Sequence, residues 1–170
     1  LANAPSKELT MAINAYWRIW RSLDEEIKKI EAELKDQAQA DPNEKSYRSV
    51  PGVGPVSARI LSNELGDMSQ FQNERQLFSF TGLTPSEHSS GEIIRRGHIS
   101  RQGNSRVRGI LIEIAWRAIA KDQALAEFFE RLFPRTGKTK AIVAVARKLI
   151  GRIRAAFQKG ENYQLDYGCS

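Results

Sequence analysis

Cysteine is all but missing from this 170-residue chain: Cys169 stands alone beside the C-terminal end. No disulfide can form within the chain, and a reducing compartment, the cytoplasm, is the expected setting. There is also no run of about 18 apolar residues, so no membrane-spanning helix and no membrane partner are expected. The opening LANAPSKELT lacks both the basic start and the apolar stretch of a signal peptide. It lacks an initiator Met as well, so the chain is expected to begin inside a longer protein. Internal repeats and low-complexity tracts are absent.

What is present is an ordinary globular composition, 41% hydrophobic and 27% charged, with a net charge of +6. That charge is unevenly spread. Residues 1–45 carry seven Lys/Arg against nine Asp/Glu, and residues 46–170 carry nineteen against eleven. The basic excess of the second part suits a polyanionic partner, because phosphate contacts release counterions and supply most non-specific affinity.

Leu9, Ile13, Tyr16, Trp20, Leu23, Ile27, Ile30 and Leu34 recur at alternating spacings of four and three. This is a heptad seam on one helix from about Ser6 to Gln39, with Asp24, Glu25, Lys28, Lys29, Glu31 and Lys35 on its wet face. A helix of that size reaches about 50 Å, too long to pack wholly on a small domain. The expectation is a coiled coil that makes the protein a homo-oligomer or pairs with a partner helix. The plainer alternative is one long helix lying along its own domain.

After a break, Asp41, Pro42 and Glu44 read as a helix start resembling a capping box. That helix stops before Pro51. A second helix opens at Pro55 and ends at Gly66, and Asn73 caps a third that Gly82 stops. Residues 82–104 form a long loop, with a short hairpin expected from Glu92 to Ile99. Helices resume at Asn104, through Val107, Ile110, Leu111, Ile114 and Ile119, then from Leu125 to Phe133. The last helix, Lys138 to Lys159, carries Ile142, Val145, Leu149, Ile153 and Phe157. Trp17, Trp20 and Trp116 read as core or seam rather than base-stacking platforms. The expected fold is all-α: a coiled-coil helix (1–40), a helical domain (41–160) and a flexible tail (161–170).

Two motifs carry chemistry. In VPGVGPVSARIL, residues 50–61, Gly52 and Gly54 flank Val53 between two helices, so backbone N–H groups can point outward together at the second helix's N-terminal end. This is a helix-hairpin-helix pattern, which grips duplex backbone without reading sequence. A purely structural hairpin is its bland counterpart. The loop from Ser89 to Arg108 carries Arg95, Arg96, Arg101, Arg106 and Arg108 against Glu92 alone. Guanidinium groups take phosphate oxygens bidentately, so this reads as a phosphate-binding loop. It also holds Ser89, Ser90, Ser100 and Ser105; taken singly, each serine is more often a turn or cap residue than a nucleophile. His88 and His98 read as solvent-facing, Glu92 and Asp67 are not spaced as a metal pair, and no metal site is expected.

VPGVGP, ELGDMSQF, RQLFSFTGLTP, SSG, HISRQGN, VRGILIEIA and VAVARKLI, taken in that order, resemble one family. They look like the C-terminal domain of insertion-sequence transposases of the IS one-ten type, the bridge-RNA-guided recombinases, over roughly Ser49 to Leu149. The resemblance implies an all-α domain with an essential serine, joined in the full-length protein to a RuvC-like domain that holds Mg²⁺ through acidic ligands and is missing here. The family's serine precedes a glycine ahead of an ISxxGN segment. Carried onto this chain it is Ser90, with Ser89 the rival if the register slips by one. That serine is implied to attack a DNA phosphate and form a covalent protein–DNA intermediate. DNA and a guide RNA are the implied partners, in a bacterial, nucleoid-associated setting, and the fragment alone is expected to be inactive. The competing readings are a non-catalytic helix-hairpin-helix DNA-binding module and a coiled-coil interaction scaffold.

Overall fold

A computed structural model describes residues 6–87, 96–100 and 102–165, with only the backbone described at 86, 87 and 96–98. The chain divides into two compact units, Leu1–Ala40 and Asp41–Ser170. The first is a single helix, α1 (Lys7–Ala40). Ser6 opens it by accepting the Leu9 amide at 3.2 Å. Along its polar side Lys28 meets Asp24 at 2.7 Å and Lys29 meets Glu26 at 2.6 Å. Such exposed pairs are screened by water and contribute little, so they do not by themselves hold a helix of this length. Leu9, Ile13, Tyr16, Trp20, Leu23, Ile27 and Ile30 are each more than half exposed. The apolar seam is therefore open along most of the helix.

The second unit is helical, as expected, with α2 (Pro42–Arg48), α3 (Pro55–Leu65), α4 (Glu74–Thr81), α5 (Ser105–Ala118), α6 (Gln123–Thr136) and α7 (Lys138–Lys159). Local chemistry sets most boundaries. Asp41 accepts the amides of Asn43 and Glu44, Asn73 that of Gln76, Asn104 those of Arg106 and Val107, and Asp122 that of Leu125. Each cap satisfies N–H groups that an α-helix leaves without intrahelical partners. The capping box expected at Asp41 is only half made. Glu44 turns inward instead, buried in an ion pair with Arg59 Nε at 2.9 Å.

Between α4 and α5 lies a two-stranded antiparallel ladder, β1 (Pro85–Glu87) with β2 (Arg96–Ile99). The hairpin expected from Glu92 to Ile99 thus has its second half in β2, but the partner strand lies upstream. Pro85 faces Ile99 and Glu87 faces Arg96.

The core is built on α5 and α7. Val107, Leu111, Ile114, Ala115 and Ala118 bury one face, and Ile142, Val145, Leu149, Ile150 and Ile153 bury the other. Tyr47, Leu61, Leu65, Leu77 and Leu125 close the core from α2, α3, α4 and α6. Charged and polar groups enter it in pairs and clusters. Asp122 receives Arg152 at 3.1 Å and the Tyr163 hydroxyl at 2.7 Å. Burial, followed by the bond to Asp122, raises the pKa of the Tyr163 hydroxyl and keeps it neutral. Tyr163, within the stretch read as a tail, is itself buried, and its amide donates to Ser49 Oγ at 2.9 Å.

Candidate nucleic-acid interface

The connection from α2 to α3 is a tight turn set by its sequence. The Val53 amide donates to the Val50 carbonyl at 3.1 Å, with Pro51 and Gly52 at the two central positions. Proline fixes the first, and Gly52, at φ +88°, supplies the positive φ that the second position of a type II turn requires. Gly52 also lies directly on α5. A Cβ there would stand 2.6 Å from Arg117 Cβ and 3.1 Å from the Ile114 carbonyl. Gly54 differs on both counts: its φ is −93°, and a Cβ there would meet nothing within 4 Å. Gly54 is the N-cap of α3 and brings no side-chain cap. Among the described residues no partner is found for the amides of Gly54, Val56 and Ser57. Val56 beside them is exposed. The turn therefore has a packed side at Gly52 and an open, donor-bearing side at Gly54.

Asp41, at the other end of α2, links the two helices by accepting the Ser62 hydroxyl at 2.6 Å. Burial raises the Asp41 carboxyl pKa, but the Ser62 hydroxyl, the Glu44 and Asn43 amides and Arg59 outweigh it and hold the group below its ordinary value.

The QGN segment expected to belong to a phosphate loop has a structural task of its own. Gly103, at φ +123°, lies so close to the end of α4 that a Cβ would stand 2.4 Å from the Phe80 carbonyl. The Asn104 amide donates to that same carbonyl at 2.8 Å, and the Asn104 side chain donates to Glu64 on α3 at 2.7 Å. One residue pair thus docks the downstream leg of the 82–104 segment onto α3 and α4 while starting α5. Ser100 adds a bond from its amide to the Thr84 carbonyl at 2.8 Å.

Of the five arginines proposed for this surface, two have described side chains. Arg106 is exposed, its guanidinium 4.0 Å from Glu64. Arg108 is half-buried and donates to the Thr81 carbonyl at 3.3 Å. Arg96 opens β2 by its backbone; its side chain, with Arg95, Arg101, Ser89 and Ser90, lies outside the described residues. The ladder itself is described, and its Glu87–Arg96 pairing holds those two residues side by side.

Sequence reasoning passed over a second feature. Residues 131–160 hold nine Lys/Arg and no Asp/Glu. Beside this run Trp116, read as core or seam, stands at the surface. Counting cations against carboxylates in a thirty-residue window would have revealed the run. Among the described residues no group of three or more His, Cys, Asp or Glu is placed to hold a metal ion. No helix there is long and apolar enough to cross a membrane.

The profile of the "Transposase IS116/IS110/IS902 family" matches residues 45–130, a stretch that takes in the turn, the ladder, α5 and part of α6. The chain belongs to this transposase family. It is 36% identical over 146 residues to the transposase for insertion sequence element IS1111A of Coxiella burnetii, covering 83% of this chain and 40% of that protein. It is 31% identical over 133 residues to a probable family 20 transposase of Pseudomonas aeruginosa, covering 75% of this chain and 39% of the relative. An insertion element IS110 protein of Streptomyces coelicolor is 30% identical over 145 residues, covering 84% of this chain and 36% of that protein. This transposase-family chain thus spans about two fifths of the length of these curated relatives.

Proposed function

We propose that this chain is the DNA-engaging and serine-bearing part of an insertion-sequence transposase that acts in DNA transposition. The observation that carries the reading is the α2–α3 turn. Its packed side fixes the backbone, and its open side presents the Gly54, Val56 and Ser57 amides at a helix N-terminus with no side chain over them. Such a group of donors suits a backbone phosphate oxygen, and the helix dipole adds to the attraction. On this reading α2, the turn and α3 act as a helix-hairpin-helix that grips duplex DNA at its phosphates, whatever the sequence.

Ser90 is the proposed nucleophile. Its Oγ forms a bond to phosphorus while one phosphodiester P–O bond breaks. The serine proton is lost and the departing oxygen gains one. One phosphate ester replaces another, so no external energy source is needed. Charge builds on the non-bridging oxygens during attack, where Arg95 and Arg96 stabilise it. Support comes from the serine–glycine pair ahead of the QGN segment, in a family of transposases, and from the ladder that pairs Glu87 with Arg96, the described residues on either side of that pair in the chain.

Among the described residues no group of carboxylates is placed to hold Mg²⁺, and three inward-facing ones are already engaged: Asp122 by Arg152, Glu44 by Arg59, and Glu64 by Asn104. Any Mg²⁺ needed by the full-length protein is proposed to bind residues outside this chain, and a guide RNA to act with that longer protein. The open seam of α1 is proposed to pair with a second copy.

In the longer transposase, Ser90→Ala is expected to abolish both strand exchange and the covalent protein–DNA adduct, with DNA affinity within twofold of the parent. Ser89→Ala should leave the adduct in place. Denaturing gels of trapped adduct read both variants. An adduct that persists in Ser90→Ala would overturn the assignment and pass it to Ser89.

A further inference from the structure

We propose that the ring cluster where α5 and α6 meet the start of α7 binds unpaired DNA, separately from the duplex-gripping turn. Trp116 and Phe129 meet edge to face with centroids 5.6 Å apart, and Phe129 stacks on Phe133 at 5.8 Å and 16°. Three rings from two helices thus form one continuous cluster. Its outer members are open, Trp116 at 36% and Phe133 at 47%. Leaving rings of this size in water forfeits the burial that ordinarily stabilises them, so the surface is better suited to an occupant than to bare solvent.

The cations around the cluster say which kind of occupant fits. Lys138 Nζ sits 5.0 Å over the Trp116 ring, and Arg135 and Lys140 flank it in the chain. They belong to the carboxylate-free run from 131 to 160, in which Arg152 and Arg154 serve the interior. Glu113 on α5 and Glu127 and Glu130 on α6 are the acidic residues of the two helices that carry the rings. Open rings beside ammonium and guanidinium groups suit a strand whose bases stack on the rings while its phosphates meet the cations. A duplex keeps its bases stacked inside and offers such rings nothing to stack on. Moving a strand from one duplex to another passes through unpaired DNA, so the ligand is one that a transposase would meet.

The test uses the 170-residue chain and a fluorescently labelled sixteen-residue oligothymidine, with a duplex of equal length and an oligouridine as comparisons. Trp116→Ala is expected to weaken oligothymidine binding about tenfold, in keeping with one lost base stack. Duplex affinity should change less than twofold. Trp116→Tyr should recover most of the loss. Phe133→Ser, at a more exposed position, should weaken the single strand in the same way without threatening the fold. Lys138→Gln should flatten the salt dependence by roughly the 0.7 expected for one phosphate on a single strand. Folded Trp116→Ala and Phe133→Ser variants that hold oligothymidine as tightly as the parent would overturn the proposal. So would an equal loss on the duplex, which would make the surface a general backbone contact, or a clear preference for oligouridine, which would make the ligand RNA.

Discussion

Gly52 and Gly54 are indistinguishable as letters, and in sequence both read as parts of one anion-binding turn. Their surroundings separate them. Gly52 combines a positive φ with backbone pressed against α5, so Gly52→Ala meets both strain and a clash. The expected cost is about 2 kcal/mol or more of stability, read as a lower urea midpoint with an unchanged slope. Gly54 has an ordinary extended φ and open space around its Cα. Gly54→Val should therefore fold, losing about 1 kcal/mol or less at the cap. Its duplex affinity should fall at least fivefold, and equally on unrelated sequences. A folded variant of undiminished affinity would leave the turn purely structural. Asp41 offers a titration check at the same scale. Its native pKa is lowered, so the stability it contributes is full above the unfolded carboxyl value of about 3.9 and is lost as pH falls through the native one. Asp41→Asn should be less stable at neutral pH and show a shallower loss on acidification below about pH 4, as read by urea unfolding at a series of pH values.

At the scale of elements, the helices were legible because their signals are local. Asp41, Asn73 and Asn104 cap where their chemistry requires, and Gly82 closes α4 in a left-handed conformation. The strand pair was harder to read, because β2 finds its partner fourteen residues upstream, at Pro85, where no periodicity marks a strand. The heptad seam of α1 was readable, but the breadth of its apolar surface was not. Met11, Trp17 and Ile19 are exposed beyond the seam positions, and Trp17 stacks on Trp20 at 5.0 Å. The N-terminal half is thus wider than a two-helix seam needs. Ile27→Asp lies in the narrower half and puts a charge on the seam. If α1 pairs with a second copy, the parent chain should sediment as a dimer or larger. The variant should dissociate at a concentration at least tenfold higher, because the loss is felt once per copy. A parent chain that stays monomeric at high concentration would exclude self-pairing.

Across the whole helical unit, the interactions hardest to foresee join residues far apart in sequence. Neither the Asp122–Arg152–Tyr163 cluster nor the bonds from Arg154 to the Phe71 and Gln72 carbonyls leave a pattern in the chain. Arg152 and Arg154 look like any surface cations of a basic helix until the fold buries them. The candidate surface shows the same division. The turn was visible in PGVG, whereas the exposed rings depend on how α5, α6 and α7 meet. Tyr163→Phe deletes one hydroxyl and leaves the ring, so it isolates the polar contribution. Removing that bond from a buried carboxylate should cost about 1–3 kcal/mol in urea unfolding. Ending the chain at Gly160 should cost more, because the ring leaves the core as well.

The bond between the Tyr163 amide and Ser49 also bears on how such a unit sits in a longer polypeptide. It brings Tyr163, close to the last of the described residues, next to the far end of α2, the helix with which the unit begins. Seven residues of helix separate that point from Asp41, a distance of about 10 Å. A core whose residues 41 and 163 lie so near each other can be carried as an insert, since chain arriving at one and leaving at the other need not be stretched or rerouted. The same geometry allows rewiring. Joining residue 163 to residue 41 through a short glycine–serine bridge, and opening the chain between α5 and α6, would give a permuted domain with the same core and the same turn.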